Sequence, residues 1–185
     1  MAKFTKKAIM FAFMEILEEK FLDKITVKDI CEQSEINRNT FYYYFENVYD
    51  VLKYVFETEK ERVLKEVKED SSFLEEYKRS ASIILNHKKA VIHIYQSKNG
   101  EILQNYLEEV ITDFVKRAVE KAAQGYNIVE ADKSYIIQFY SFAICGSTMR
   151  WIDKGLPPYT EDLLIRVSKS FDVTIYDLIE MCVKK

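Results

Sequence analysis

Glycine and proline are scarce in this chain, with 4 and 2 among 185 residues. Few sharp turns can be made, which argues against a many-stranded sheet and for long helices. Long apolar runs are missing too: "YIIQFYSFAIC" at 135–145 is too short and too interrupted to span a bilayer. Histidine occurs only as His87 and His93, in no metal-binding spacing. The three cysteines, Cys31, Cys145 and Cys182, are odd in number and far apart, so reduced thiols in a cytoplasmic protein are expected. No nucleophile with a nearby base, phosphate-cradling glycine loop or carboxylate–histidine cluster is evident, so the chain does not read as an enzyme and calls for no cofactor or metal. The start "MAKFTKKAIMFAF" is basic and then apolar, but Glu15, Glu18 and Glu19 follow without a small-residue cleavage site. A secretory leader is therefore not expected.

A basic excess is absent as well. The net charge is −3, and residues 1–47 hold seven Lys/Arg against eight Asp/Glu, so any phosphate-binding surface must be local. Lys3, Lys6 and Lys7 cluster at the start, while Lys24, Lys28 and Arg38 surround "TVKDICEQSEINRNTFYYYF" at 26–45.

What the chain does have is helical periodicity. Ile9, Ala12, Phe13, Ile16 and Leu17 place one apolar face on a helix from about Thr5 to Lys20. Thr26 with Asp29 is a capping-box variant that starts a short second helix, with Ile30 and Cys31 inward. "SEIN" at 34–37 breaks it, and Asn37 caps a third helix running through Phe45. Asn47 with Asp50 starts a fourth, which carries Val48, Val51, Leu52, Val55 and Phe56 on one face and continues to about Val67. "DSS" at 70–72 introduces the next helical region, which "KNG" at 98–100 ends. A helix from Glu101 to about Gln124 stops at Gly125, a left-handed cap. Another runs from about Ala131 to "DKG" at 153–155, and Thr160 opens the last after the prolines. The expectation is an all-α chain of about nine helices without strands. Short helices precede long ones, so the domain boundary is placed near residue 46: a head over 1–46 and a larger region over 47–185.

A short helix, a tight turn and a second short helix, supported by an amphipathic first helix, describe a helix-turn-helix unit. In that unit the N-terminal residues of the second helix meet base edges in the major groove. Arginine suits guanine O6 and N7, and asparagine suits adenine N6 and N7, which fits Asn37, Arg38 and Asn39. Phe41 and Phe45 anchor the opposite face. Thr40, Tyr42, Tyr43 and Tyr44 offer hydroxyls to phosphate oxygens, as does Thr26, while Lys28 adds a cation. An aromatic run that packs on a neighbouring helix would explain the same pattern by spacing alone.

At these residues the chain resembles the TetR family of transcriptional regulators. The pattern is carried by Thr26, Asp29-Ile30, "SEIN" and Asn39-Thr40-Phe41-Tyr42-Tyr43-Tyr44-Phe45, followed by "ENVYDVL". The resemblance implies a homodimer that binds double-stranded DNA at a palindromic operator, most often as a repressor released by a small-molecule effector. It also implies a C-terminal helical domain for effector binding and dimerisation. Three positions depart from the family pattern. Glu35 stands where the turn usually has glycine, Asn39 replaces the glycine before the threonine, and Val48 replaces a lysine that meets phosphate. Glu35 and Val48 point to weaker nonspecific affinity, and they support an alternative: a regulator-like adaptor dimer that acts through a protein partner without its own ligand response.

In the C-terminal region the aromatics Tyr95, Tyr106, Phe114, Tyr135, Phe139, Tyr140 and Trp151 are candidates for an effector pocket, though they suit a plain core equally. The small patch around Gly146 and the last helix, with Leu164, Val167, Phe171 and Ile175 at helical spacing, are candidates for the dimer interface. The segment "RWIDKGLPPYTEDLL" resembles regulators grouped with dihydroxyacetone-kinase control.

Overall fold

The computed structural model describes residues 2–67, 71–157 and 163–183; the side chains described on α1 begin at Phe4 and those on the last helix at Ile165. Among the described residues there are nine α-helices, one short 3-10 turn and no strand. The helices are α1 (Ala2–Glu19), α2 (Val27–Gln33), α3 (Arg38–Tyr44), α4 (Val48–Lys65), α5 (Phe73–Asn86), α6 (Lys88–Tyr95), α7 (Glu101–Ala122), α8 (Glu130–Asp153) and α9 (Leu163–Val183). The all-helical fold expected from composition and periodicity is the one observed. No helix among the described residues is long and apolar enough to cross a membrane. The expected start of the last helix at Thr160 lies outside the described residues.

The chain forms two compact units, residues 1–66 with 86–101, and residues 67–85 with 102–185. The first unit reaches beyond the 1–46 head expected from helix lengths, because α4 and α6 both pack on α1. Its core is built from the inward faces of α1 and α4: Ile9, Phe13, Leu17, Val51 and Leu52 are all buried, with Ile30 of α2 and Phe41 of α3. Two hydrogen bonds and a ring contact tie α6 and the turn after it to this core. His93 Nδ1 lies 2.7 Å from the Leu17 carbonyl oxygen, its ring meets Phe21 at 4.6 Å, and the Lys98 N–H donates to Asp23 Oδ2 at 2.9 Å.

In the second unit α8 packs against α9, and α5 is anchored to both. Ser72 and Glu75 exchange the hydrogen bonds of a capping box at the start of α5. The next two N–H groups, of Phe73 and Leu74, donate to the Asp172 carboxylate of α9 at 3.1 and 3.2 Å. Together these satisfy donors that a helix start otherwise leaves open. Tyr77 and Thr148 share a buried hydrogen bond of 3.0 Å between α5 and α8. α8 ends in a Schellman turn: Gly155 takes φ +77, Gly155 N–H donates to Ile152, and Leu156 N–H donates to Trp151.

Candidate nucleic-acid interface

The α2–turn–α3 segment is held by side-chain caps at three successive helix starts. Thr26 Oγ1 accepts from the Asp29 N–H at 3.2 Å, while Asp29 Oδ2 accepts from the Thr26 N–H at 2.8 Å. Thr26 Oγ1 also donates to Asp29 Oδ2, and Lys20, just past the end of α1, reaches Asp29 Oδ1 at 3.0 Å. The side-chain and backbone hydrogen bonds from Thr26, followed by the Lys20 contact, lower the Asp29 carboxyl to about 2. Asn37 Oδ1 accepts from the Thr40 N–H at 2.8 Å and from its hydroxyl at 3.1 Å. Asn47 does the same for the Asp50 N–H at 3.1 Å. Polar side chains that compete with a helix interior thus mark where each helix begins.

The turn between α2 and α3 is a Schellman motif. Ile36 N–H donates to the Cys31 carbonyl at 3.1 Å and Glu35 N–H to the Glu32 carbonyl at 3.4 Å. Glu35 itself takes φ +54, the left-handed conformation that favours glycine. Below the turn, burial pushes the Cys31 thiol up, so it remains a buried thiol within the core.

α3 divides into two faces at i and i+4 spacing. Phe41 and Phe45 are buried, Phe45 meets Tyr54 at 5.5 Å, and the Lys6 ammonium lies over both of these rings at 5.4 and 5.0 Å. The other face exposes Arg38, Asn39, Tyr42 (56%) and Tyr43 (80%), with Thr40 and Tyr44 half-buried at its flanks. Tyr42 sets its edge against Phe41 and Tyr44 packs against Tyr43, so the rings brace one another. Among the described residues, no group hydrogen-bonds to the hydroxyls of Tyr42, Tyr43 and Tyr44, and none pairs with Arg38.

The sequence-derived residues therefore divide by role. Arg38, Asn39, Tyr42, Tyr43 and Tyr44 stand together on α3, and Thr26 and Lys28 lie on or before α2. Thr26 and Asn37 spend their oxygens on capping, and Lys28 faces Glu32 at 3.6 Å in an exposed pair. Lys20, which ties α1 to the cap of α2, was not singled out by the sequence. A lysine at the end of the first helix carries no signal until the fold brings it to Asp29. The same holds for Gln33, which donates to Glu15 of α1 at 2.8 Å.

The pocket residues do not converge. Tyr95 belongs to the first compact unit, whereas the other six lie in the second. Tyr135 and Phe139 are exposed on α8 at 61% and 53%. Trp151 is buried with its indole N–H donating to the Pro157 carbonyl at 3.0 Å, and the buried Tyr140 shares a hydrogen bond with Thr174. Tyr106 is half-buried on α7. Phe114 lines a cavity of about 280 Å³ in which none of the other six takes part.

The dimer-interface candidates divide between the chain's own core and its surface. Phe171 and Ile175 are buried inside the chain, at 1% and 4% exposure, with Phe171 wedged between Phe73 and Tyr140. They lie on the inward face of α9 and pack within the chain's own core. Val167 is half-buried, and the Leu164 side chain lies outside the described residues. Gly146 is exposed, with nothing near its missing Cβ. It continues an outward stripe of Tyr135, Phe139 and Phe142 at i, i+4, i+7 and i+11 along α8. Val173 and Tyr176 are exposed on α9.

A TetR profile described as "Transcriptional regulator C-terminal region" matches residues 77–173, just over half of the chain. The HTH-type dhaKLM operon transcriptional activator DhaS of Lactococcus lactis subsp. lactis (strain IL1403) is 28% identical over 161 residues, spanning 82% of this chain and 81% of that protein. Among solved structures, the dihydroxyacetone kinase operon activator DhaS superposes with a TM-score of 0.70 at 20% identity, covering 97% of this chain and 96% of that one. A TetR-family regulator from Syntrophomonas wolfei str. Goettingen gives 0.68 at 20% identity over 96% and 97% of the two chains. A TetR regulator from Streptococcus agalactiae 2603V gives 0.62 at 21% identity over 92% and 95%. At these identities the structural likeness speaks to fold, while the profile match speaks to lineage. The chain belongs to the TetR family of transcriptional regulators.

Proposed function

We propose that this regulator acts in the cytoplasm as a homodimer that reads a palindromic operator with α3, represses from it, and is released by a small-molecule effector. The observation that carries the reading is the outward face of α3, where Arg38, Asn39, Tyr42 and Tyr43 stand exposed above a buried Phe41–Phe45 anchor. Arg38 and Asn39 sit in the first turn, the end that enters a major groove, where they can meet base edges. The tyrosine hydroxyls further along suit phosphates and register the helix on the backbone. One seven-residue helix makes few base contacts, so specificity calls for two heads on a two-fold site. The exposed Tyr135, Phe139, Phe142 and Gly146 stripe on α8, with Val173 and Tyr176 on α9, is the surface we assign to pairing. An effector then shifts affinity by as much as it distinguishes the DNA-bound state from the free one.

A second reading is the partner-dependent adaptor dimer, which Glu35 and Val48 favour, and the DhaS relatives, operon activators by name, favour activation over repression. Fluorescence-anisotropy binding to promoter DNA from the gene's own neighbourhood, at two salt concentrations, tests the first reading against an Arg38→Ala/Tyr42→Ala variant. Sequence-specific binding that the variant loses supports operator reading. Binding without sequence preference at low salt removes it and moves the partner-dependent reading ahead. Reporter output from the bound promoter then separates repression from activation.

A further inference from the structure

The cavity of about 280 Å³ in the second unit lies between the start of α5 and the later turns of α7, at the lower edge of the size of small-molecule sites. Its apolar walls include Phe73, Phe114 and Ala118, and its polar groups include Glu76, Arg117 and Lys121. Arg117 and Lys121 are spaced i and i+4, so they project from one face of α7. Glu76 is an unusual lining residue, a carboxylate whose side chain is only 8% exposed. Arg79 grips one of its oxygens through Nε at 2.9 Å and Nη2 at 2.6 Å, and the Ser71 hydroxyl donates to the other at 2.5 Å. Arg79 and Ser71 thus meet its charge, and Arg117 and Lys121 bring two cations to the α7 side.

We infer that this cavity is the effector site and that its ligand is a small organic monoanion: one carboxylate facing Arg117 and Lys121, on an apolar body lying against Phe73 and Phe114. The inference rests on the effector-responsive reading above. A guanidinium matches a carboxylate through parallel N–H groups, and the lysine adds a point charge one turn on. Both cations already interact with other groups of the chain, so the ligand competes for them and affinity is modest. The site also has an outlet. Phe73 meets Phe171 of α9 at 4.8 Å and its N–H donates to Asp172, so whatever displaces Phe73 pulls on the helix that exposes Val173 and Tyr176.

Isothermal titration with phenylacetate and octanoate tests this, beside the neutral phenylacetamide, an Arg117→Gln/Lys121→Gln variant and an Ala118→Trp variant that fills the cavity. Circular dichroism checks that each variant keeps its helicity. The expected result is saturable binding of at least one carboxylate, about tenfold weaker for the amide and in the double-glutamine variant, as losing a charge-assisted contact predicts. If neither carboxylate binds saturably, or if binding is the same for the amide or in the folded double-glutamine variant, the inference fails. Anisotropy on operator DNA with the same samples keeps the two ideas apart. Protein that binds DNA but no carboxylate loses this site and keeps its operator. Protein that binds carboxylate and ignores DNA does the reverse.

Discussion

Replacing Glu35 by glycine should make the protein more stable, although a side chain is lost and no contact is gained. Glu35 holds φ +54 in the Schellman turn, with Ile36 N–H on the Cys31 carbonyl and Glu35 N–H on the Glu32 carbonyl. A left-handed conformation costs an L-residue about 1–2 kcal/mol through its Cβ. Glycine escapes that cost but loses roughly 0.5–1 kcal/mol more chain entropy on folding. The difference favours Glu35→Gly by about 0.5–1 kcal/mol, a rise in Tm on the order of 1–4 °C for a chain of this size. Glu35→Ala keeps the Cβ and hence the strain, so it should stay near the parent in stability. Urea unfolding followed by far-UV circular dichroism ranks the three. Glycine no more stable than alanine would refute the assignment of strain to this residue. Both variants also remove a negative charge just before α3. At about 10 Å in water one such charge is worth roughly 0.4 kcal/mol per phosphate, so both should bind operator DNA about twofold tighter at low salt, with the gain fading as salt rises. A gain in the glycine variant alone would point to turn geometry instead of charge.

Acid should loosen the reading head through Asp29. Its carboxyl is lowered from 3.8 to about 2 by Thr26 and Lys20, so the stabilisation is fully present above about pH 4 and is lost as the pH falls through 2. Asp29→Asn should flatten that part of the acid-unfolding profile, and an unchanged profile would show that the box does not supply it. On α8, Phe139→Asp should convert dimer to monomer in light scattering at unchanged helicity, and cut affinity for a two-fold operator at least about tenfold. Phe171→Ala should instead cost roughly 3–5 kcal/mol of stability, because it empties a site inside one chain. A stable, monomeric Phe171→Ala protein would reverse the roles given to these two residues.

The reading head is the part that local sequence determines. Thr26, Asn37 and Asn47 each begin a helix through bonds to residues three positions on, and Phe41 and Phe45 face inward by periodicity alone. Such signals are complete within a few residues, so the short helices and their starts were legible before any folding, while the left-handed backbone at Glu35 was hinted at only by the family resemblance. Lys20–Asp29, Glu15–Gln33 and Asp23 with Lys98 were not, since they join residues 9, 18 and 75 positions apart. The C-terminal helices show the same limit more sharply. α8 carries aromatic residues on several faces, and periodicity cannot say which of them meets the chain's own core. Only packing decided that Tyr140, against α9, and Trp151, bonded to the Pro157 carbonyl, go inside while Tyr135 and Phe139 stay out. It likewise turned Phe171 inward and brought Glu76 of α5 beside Phe114 and Arg117 of α7, because the apolar face of a helix is fixed by sequence but its partner is fixed by the fold.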